Sequence, residues 1–105
     1  MASLTSFIRR KREHSLRVFG PVQGTAGVLA HLRKELLEIE QDPSDLTEWV
    51  DAILLGIEGA WRSGHSPEEV ALAIVAKQTR NEERKWPDWR GMTPDQPIEH
   101  VREPK

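Results

Sequence analysis

The chain has 105 residues, 37% of them hydrophobic and 30% charged, with a formal net charge of −2 and no cysteine. Such a length fits one domain, residues 1–105, with a modest core, and the charge gives no bulk attraction to nucleic acid. Without cysteine, disulfides and thiolate metal sites are excluded and a reducing cytoplasm is the expected compartment. No apolar run approaches the roughly 20 residues of a membrane span, and the first residues lack the charged start and apolar stretch of a secretory signal.

Four helical segments follow one another, with no alternating pattern that reads as strand. The first is expected from about Leu4 to Val18, where Leu4, Phe7, Ile8 and Leu16 are roughly helix-spaced, and Gly20-Pro21 ends it. Its centre, Arg9-Arg10-Lys11-Arg12, is the one basic run. Four such residues on a helix read as a solvated face, so nucleic acid is not an expected partner.

The second helix is expected from about Ala26 to Glu40, with Thr25 as its N-cap. Leu29, Leu32, Leu36 and Ile39 make its apolar stripe. His31, Glu35 and Glu38 fall within roughly 60° of one another beside that stripe, flanked by Lys34.

After the break Gln41-Asp42-Pro43-Ser44, a third helix is expected from about Leu46 to Ser63, capped by Ser44 or Asp45. Leu46, Trp49, Val50, Ile53, Leu54, Ile57, Ala60 and Trp61 form a nearly unbroken apolar stripe, with Glu48, Asp51 and Leu55 on the opposite side. Gly56 and Gly59 cost helix stability, about 1 kcal/mol each against alanine, which suggests close approach of another helix. Helix three is thus expected to be covered on both sides, with Gly64 as its stop.

Ser66-Pro67-Glu68-Glu69 combines a serine cap, a first-turn proline and a capping-box glutamate. The fourth helix is expected from there to about Lys85. Val70, Ala73 and Ile74 give its early apolar face, and Lys77, Asn81 and Arg84 form a polar stripe further on. The tail from Trp86 to residue 105 holds four prolines and no periodicity, and reads as extended. Trp89 is a candidate to dock it onto the helices or a neighbouring subunit. The fold class is all-α: a bundle of four to five helices with an irregular proline-rich tail.

Two acidic pairs, Glu35-x-x-Glu38 and Glu48-x-x-Asp51, have the i, i+3 spacing that places both carboxylates on one side of a helix. Folding about the short break brings the pairs together. Four facing carboxylates repel unless a cation sits among them, and a hard divalent ion such as Mg²⁺ suits oxygen ligands. Such an ion neutralises phosphate charge and lowers the pKa of bound water. A di-iron site needs Glu-x-x-His on two helices, and the chain has none. The competing reading is a solvated acidic face. Lys77, Asn81 and Arg84 suit polyphosphate, Arg by bidentate contact and Lys as a point charge, or else form a solvated face paired with Glu82 and Glu83. His31 is either a substrate contact or a surface histidine. Trp49 and Trp61 read as core or subunit interface, while Trp86 and Trp89 suit packing or docking.

Glu35-x-x-Glu38, Glu48-x-x-Asp51 and Lys77-x-x-x-Asn81-x-x-Arg84 together resemble the signature of the MazG-like all-α nucleoside triphosphate pyrophosphohydrolases. The stretches 25–29, 33–36, 48–51, 64–69 and 86–89 are similar to one branch, the short phage and prophage dATP/dGTP diphosphohydrolases of MazZ type. The resemblance covers about Phe19 to Val101. The gap between the acidic pairs is shorter than in much of the superfamily and fits this branch.

The resemblance implies Glu35, Glu38, Glu48 and Asp51 as catalytic Mg²⁺ ligands, with Mn²⁺ as a possible substitute. It implies substrate contacts from Lys77, Asn81 and Arg84, beside the candidates Lys34 and His31. Water would attack the α-phosphorus of a purine deoxynucleoside triphosphate, giving monophosphate and pyrophosphate; a fifth acid could serve as base, and Glu48 is our own choice if the metal does not fully occupy it. A homo-oligomer, dimer or tetramer, is expected from the breadth of the apolar surface on helix three and from the resemblance. The implied role is nucleotide-pool remodelling for 2-aminoadenine DNA, in the bacterial host cytoplasm if the gene is a phage's. The alternatives are a house-cleaning triphosphate pyrophosphohydrolase and a non-catalytic helical bundle that binds a partner.

Overall fold

The structure, a computed structural model, describes residues 3–102. Among them are four α-helices, α1 (Leu4–Phe19), α2 (Ala26–Gln41), α3 (Leu46–Arg62) and α4 (Pro67–Glu83), a short 3₁₀ helix (Trp89–Gly91), and no strand. The chain divides into two compact units, Met1–Ala73 and Ile74–Lys105.

In the first unit, each helix is set by a local signal and a packing partner. Ser3 caps α1, its hydroxyl accepting from Ser6 N at 3.0 Å, and Gly20 at φ 75° closes it by donating to Leu16 O. Asp45, one of the two expected caps, holds the start of α3 by accepting from Thr47 N at 2.9 Å. Trp49 Nε1 ties that helix back to the break by donating to Pro43 O. Thr25 corrects an expectation. Its ψ of −2° is helical rather than extended, and its side chain makes no capping bond. At the other end of α3, Gly64 takes φ 109°, a conformation that side chains disfavour. The capping box before α4 forms in both directions: Ser66 Oγ accepts from Glu69 N at 3.1 Å, and Glu69 Oε1 accepts from Ser66 N at 3.2 Å.

Two packing contacts organise this unit. Ile8 of α1, Ile57 of α3 and Val70 and Ala71 of α4 form a small buried core, with Phe7 and Ala60 against it. Helices α2 and α3 pack on each other most extensively, and they run antiparallel. Val28 near the start of α2 lies against Gly59 near the end of α3, where an added Cβ would stand 3.4 Å from Val28 Cγ1. Close approach at Gly59 is therefore real, whereas Gly56 faces open space.

The apolar stripe of α3 departs from expectation. Only its later half is covered: Ile57 is buried, but Leu46 is 74% exposed and Ile53 61% exposed. On α2, Ile39 is buried while Leu29 and Leu36 are exposed.

In the second unit, α4 ends at Glu83, two residues before the expected Lys85. Pro87 disfavours a helical Trp86, and Trp86 Nε1 instead donates to Asn81 O at 2.6 Å. The tail does not stay extended. It makes a 3₁₀ turn, with Asp88 accepting from Arg90 N, and returns so that Val101 N donates to Lys85 O at 2.7 Å. Trp89, the expected docking residue, is 71% exposed with the Arg90 guanidinium over its ring. Trp86 is the residue that holds the return, meeting His100 edge-on at 5.9 Å.

Candidate functional site

The antiparallel pairing of α2 and α3 sets the register of the acids. With Val28 opposite Gly59, residues near the end of α2 meet residues near the start of α3. Glu35, Glu38 and Glu48 accordingly gather, each offering a carboxylate oxygen within 4.8 Å of the others. Asp51, the fourth acid expected here, is half-buried one turn further along α3 and lies outside this group.

Burial and partners separate this cluster from an ordinary acidic face. Glu35 is 3% exposed. Glu35 Oε1 and Glu48 Oε2 are buried and have no hydrogen-bond partner. Among the described residues no lysine, arginine or histidine forms an ion pair with any of the three. A buried carboxylate left without a cation or donor is costly. Here two carboxylates point unpartnered oxygens into one space. An all-oxygen set of this kind fits a hard divalent cation, so these three residues can hold a metal ion.

The chain's own way of relieving the repulsion is to keep a proton on Glu48. Glu48 is pushed from the ordinary 4.5 up to about 7, first because the Glu35 carboxyl lies within hydrogen-bonding reach, then by burial and by Glu38. A carboxyl whose pKa rises on folding takes up a proton between those values. The native state then binds more protons than the unfolded one, so stability is full below about pH 4.5 and falls as pH rises through about 7. A divalent cation needs the ionised form and reverses that loss. We expect a cation-induced rise in thermal midpoint that is near zero at about pH 5 and clear at about pH 8. Differential scanning fluorimetry across that range checks it, and an equal rise at both ends would refute the protonation of Glu48.

The other expected site residues are placed as follows. His31 and Lys34 lie on α2 and are exposed. On α4, Lys77 is exposed, while Asn81 and Arg84 are half-buried and joined, Arg84 Nη1 donating to Asn81 Oδ1 at 3.3 Å. Lys77, Asn81 and Arg84 belong to the second unit and the acid cluster to the first.

One acid of consequence escapes sequence reasoning. Glu58 of α3 is buried, accepts from Ser15 Oγ at 2.7 and 2.9 Å, and is flanked by Lys11 Nζ and Arg62 Nε, each at 3.6 Å. Every charge it brings inside is answered, so it serves the α1–α3 joint. The one available hint is its i+7 position from Asp51, about 20° away round the helix.

Fold and site together define a class: all-α proteins that gather carboxylates from two paired helices into a cluster able to hold a cation. A model of the dATP/dGTP pyrophosphohydrolase family matches residues 7–104, nearly the whole chain, and the chain belongs to that family. It is an enzyme, a nucleotide pyrophosphohydrolase that acts on acid anhydrides. This bears out the expected MazG-like activity and sets aside the non-catalytic bundle. Searches of curated proteins and of solved structures gave no match. No described helix is long and apolar enough to cross a membrane.

Proposed function

We propose that the chain is a Mg²⁺-dependent diphosphohydrolase of dATP and dGTP, of the short MazZ type, releasing the deoxynucleoside monophosphate and pyrophosphate. The observation that carries the metal site is the pair of buried, unpartnered oxygens on Glu35 and Glu48 within a cluster of three carboxylates. Glu35, Glu38 and Glu48 hold the ion. Asp51, one turn from Glu48 on the same side of α3, is assigned as the fourth ligand. Mn²⁺ satisfies the same oxygen set. Bound there, such an ion offsets phosphate charge and lowers the pKa of an attacking water.

The chain's own residues do the rest. Glu48, where the ion leaves one of its oxygens free, takes the proton of the water that attacks the α-phosphorus. Lys77 and Arg84 neutralise the polyphosphate, and Asn81, held by Arg84, donates to phosphate or sugar. His31 and Lys34, exposed on the helix that carries Glu35, contact the substrate's outer edge. The biological role follows the branch: depletion of dATP and supply of dGMP in the host cytoplasm for a phage genome that uses 2-aminoadenine.

The exposed stripes of α2 and α3 favour a homo-oligomer, dimer or tetramer, that closes them. Sedimentation is expected to show an oligomer at micromolar concentration, and a stable monomer would remove this part of the reading. The reaction is tested on a panel of deoxy- and ribonucleoside triphosphates with and without Mg²⁺, with products separated by chromatography. Monophosphate and pyrophosphate from dATP and dGTP, only with metal, is the expected result. Diphosphate and orthophosphate would exclude attack at the α-phosphorus, and equal turnover of all bases would point to house-cleaning.

A further inference from the structure

The second unit contains a cleft lined by its own residues. It measures about 390 Å³ and lies between the end of α4 and the returning tail, lined by Arg80, Glu83, Arg84, Lys85, His100 and Arg102 with one apolar side chain. That volume is within the range of about 300–1,000 Å³ typical of small-molecule sites. Four lining residues are cationic and one is a carboxylate, in a chain whose overall charge is −2. Among the described residues none of the four cations forms an ion pair. The cleft is also built rather than accidental. Val101 N to Lys85 O and the Trp86–His100 edge contact fix the tail, and Trp86 Nε1 to Asn81 O fixes the tryptophan.

The geometry points to this cleft as an oligophosphate site, in which the tail residues His100 and Arg102 join Arg84 and Arg80 in gripping a pyrophosphate-like group. The inference rests on the phosphate role proposed for Arg84 and extends it to the tail. Guanidinium forks match phosphate oxygens bidentately. The lining offers donors and charge but no aromatic platform, so it recognises the phosphates rather than a base. A nucleic acid would need a longer charged track with stacking residues, and this lining offers four cations and no stacking side chain. His100 supports the assignment. Burial first, then the positive charges of Arg84, Arg102 and Lys77, hold its imidazole below the usual range, so at neutral pH it is an uncharged donor. An entering anion cancels that repulsion and draws a proton onto it.

The test uses the full chain and inorganic pyrophosphate without divalent metal. Calorimetry measures affinity, and NMR follows the four histidine ring signals, with His100→Ala identifying one of them. The expected result is saturable binding that moves the His100 signal and raises its titration midpoint. Arg102→Ala, at an exposed position near the chain's end, should weaken binding about tenfold. The absence of saturable binding, equal movement of all four histidines, or an unchanged affinity in Arg102→Ala overturns the inference. Steady-state kinetics of Arg102→Ala separates the source of the ligand. A raised nucleotide KM with kcat retained assigns the cleft to substrate phosphates, whereas an unchanged KM with weaker inhibition by pyrophosphate assigns it to the released product. Metal-dependent turnover of the wild type is measured in parallel. Turnover without a pyrophosphate response rejects the cleft alone, and a response without turnover rejects the catalytic reading alone.

Discussion

Replacing Glu48 by glutamine should abolish most turnover while making the metal-free protein more stable at about pH 8. The two effects share one cause. Glutamine keeps the shape of the protonated carboxyl that the cluster favours, because Glu48 already holds its proton up to about pH 7 against Glu35 and Glu38. At higher pH the wild type carries the repulsion and the variant does not. Turnover falls because a metal ligand and the proposed base are lost together, a deficit of about 10²–10³-fold in kcat. The cation-induced rise in thermal midpoint should shrink in parallel. Glu35→Gln should behave similarly, since its Oε1 is the other buried, unpartnered oxygen. The double variant should be little worse than either single one, as expected when residues act as a unit. Fluorimetry and a pyrophosphate-release assay on the same preparations give both readouts. A variant that loses activity and stability together would mean that Glu48 is structural, and the metal site would have to be placed elsewhere.

The helix boundaries were legible from sequence because local chemistry sets them. Ser66-Pro67-Glu68-Glu69 forms both bonds of a capping box, and Gly64 adopts the positive φ that a helix stop requires. The meeting of Glu35 and Glu38 with Glu48 was legible too, because a short break between two helices leaves one antiparallel register. Thr25 does not cap the helix because its own φ and ψ, not its residue type, decide whether the hydroxyl reaches the helix amides. Lys85 misled because the helix end is decided by Trp86, whose indole takes the Asn81 carbonyl. The coverage of α3 was overestimated because a stripe records that a face is apolar and not which chain covers it.

The hardest distinction was between acids on one side of one helix. Glu48, Asp51, Leu55, Glu58 and Arg62 succeed one another at intervals of three and four along α3. Sequence periodicity treats Glu48 and Glu58 alike. What separates them is the company they keep. Glu58 meets Lys11 and Ser15 of α1 and Arg62 of its own helix. Glu48 meets two other carboxylates. Only tertiary contact brings α1 to one end of this stripe and α2 to the other.

That difference makes Glu58→Ala the second large effect expected, and its sign is opposite to that of Glu48→Gln. Glu58 is 6% exposed, and its oxygens accept both contacts of a hydroxyl, Ser15 Oγ, that is itself 2% exposed. Removing the carboxylate leaves Lys11 and Arg62 facing each other without an anion and strands the buried Ser15 hydroxyl. Breaking a buried ion pair from one side costs about 3–5 kcal/mol, which for a chain of this size is a fall in thermal midpoint of more than about 10 °C. Ser15→Ala, which removes one buried donor and keeps the charges, should cost less, about 1–3 kcal/mol. Joining Glu58→Met to Lys11→Met should recover part of the loss, because an apolar pair carries no desolvation penalty. Thermal unfolding of the three variants, with turnover measured well below each midpoint, decides the matter. Retained kcat in folded Glu58→Ala places this acid in the joint between α1 and α3. A midpoint within a few degrees of wild type would show that water reaches the pair and that the joint rests on Ile8 and Ile57 instead.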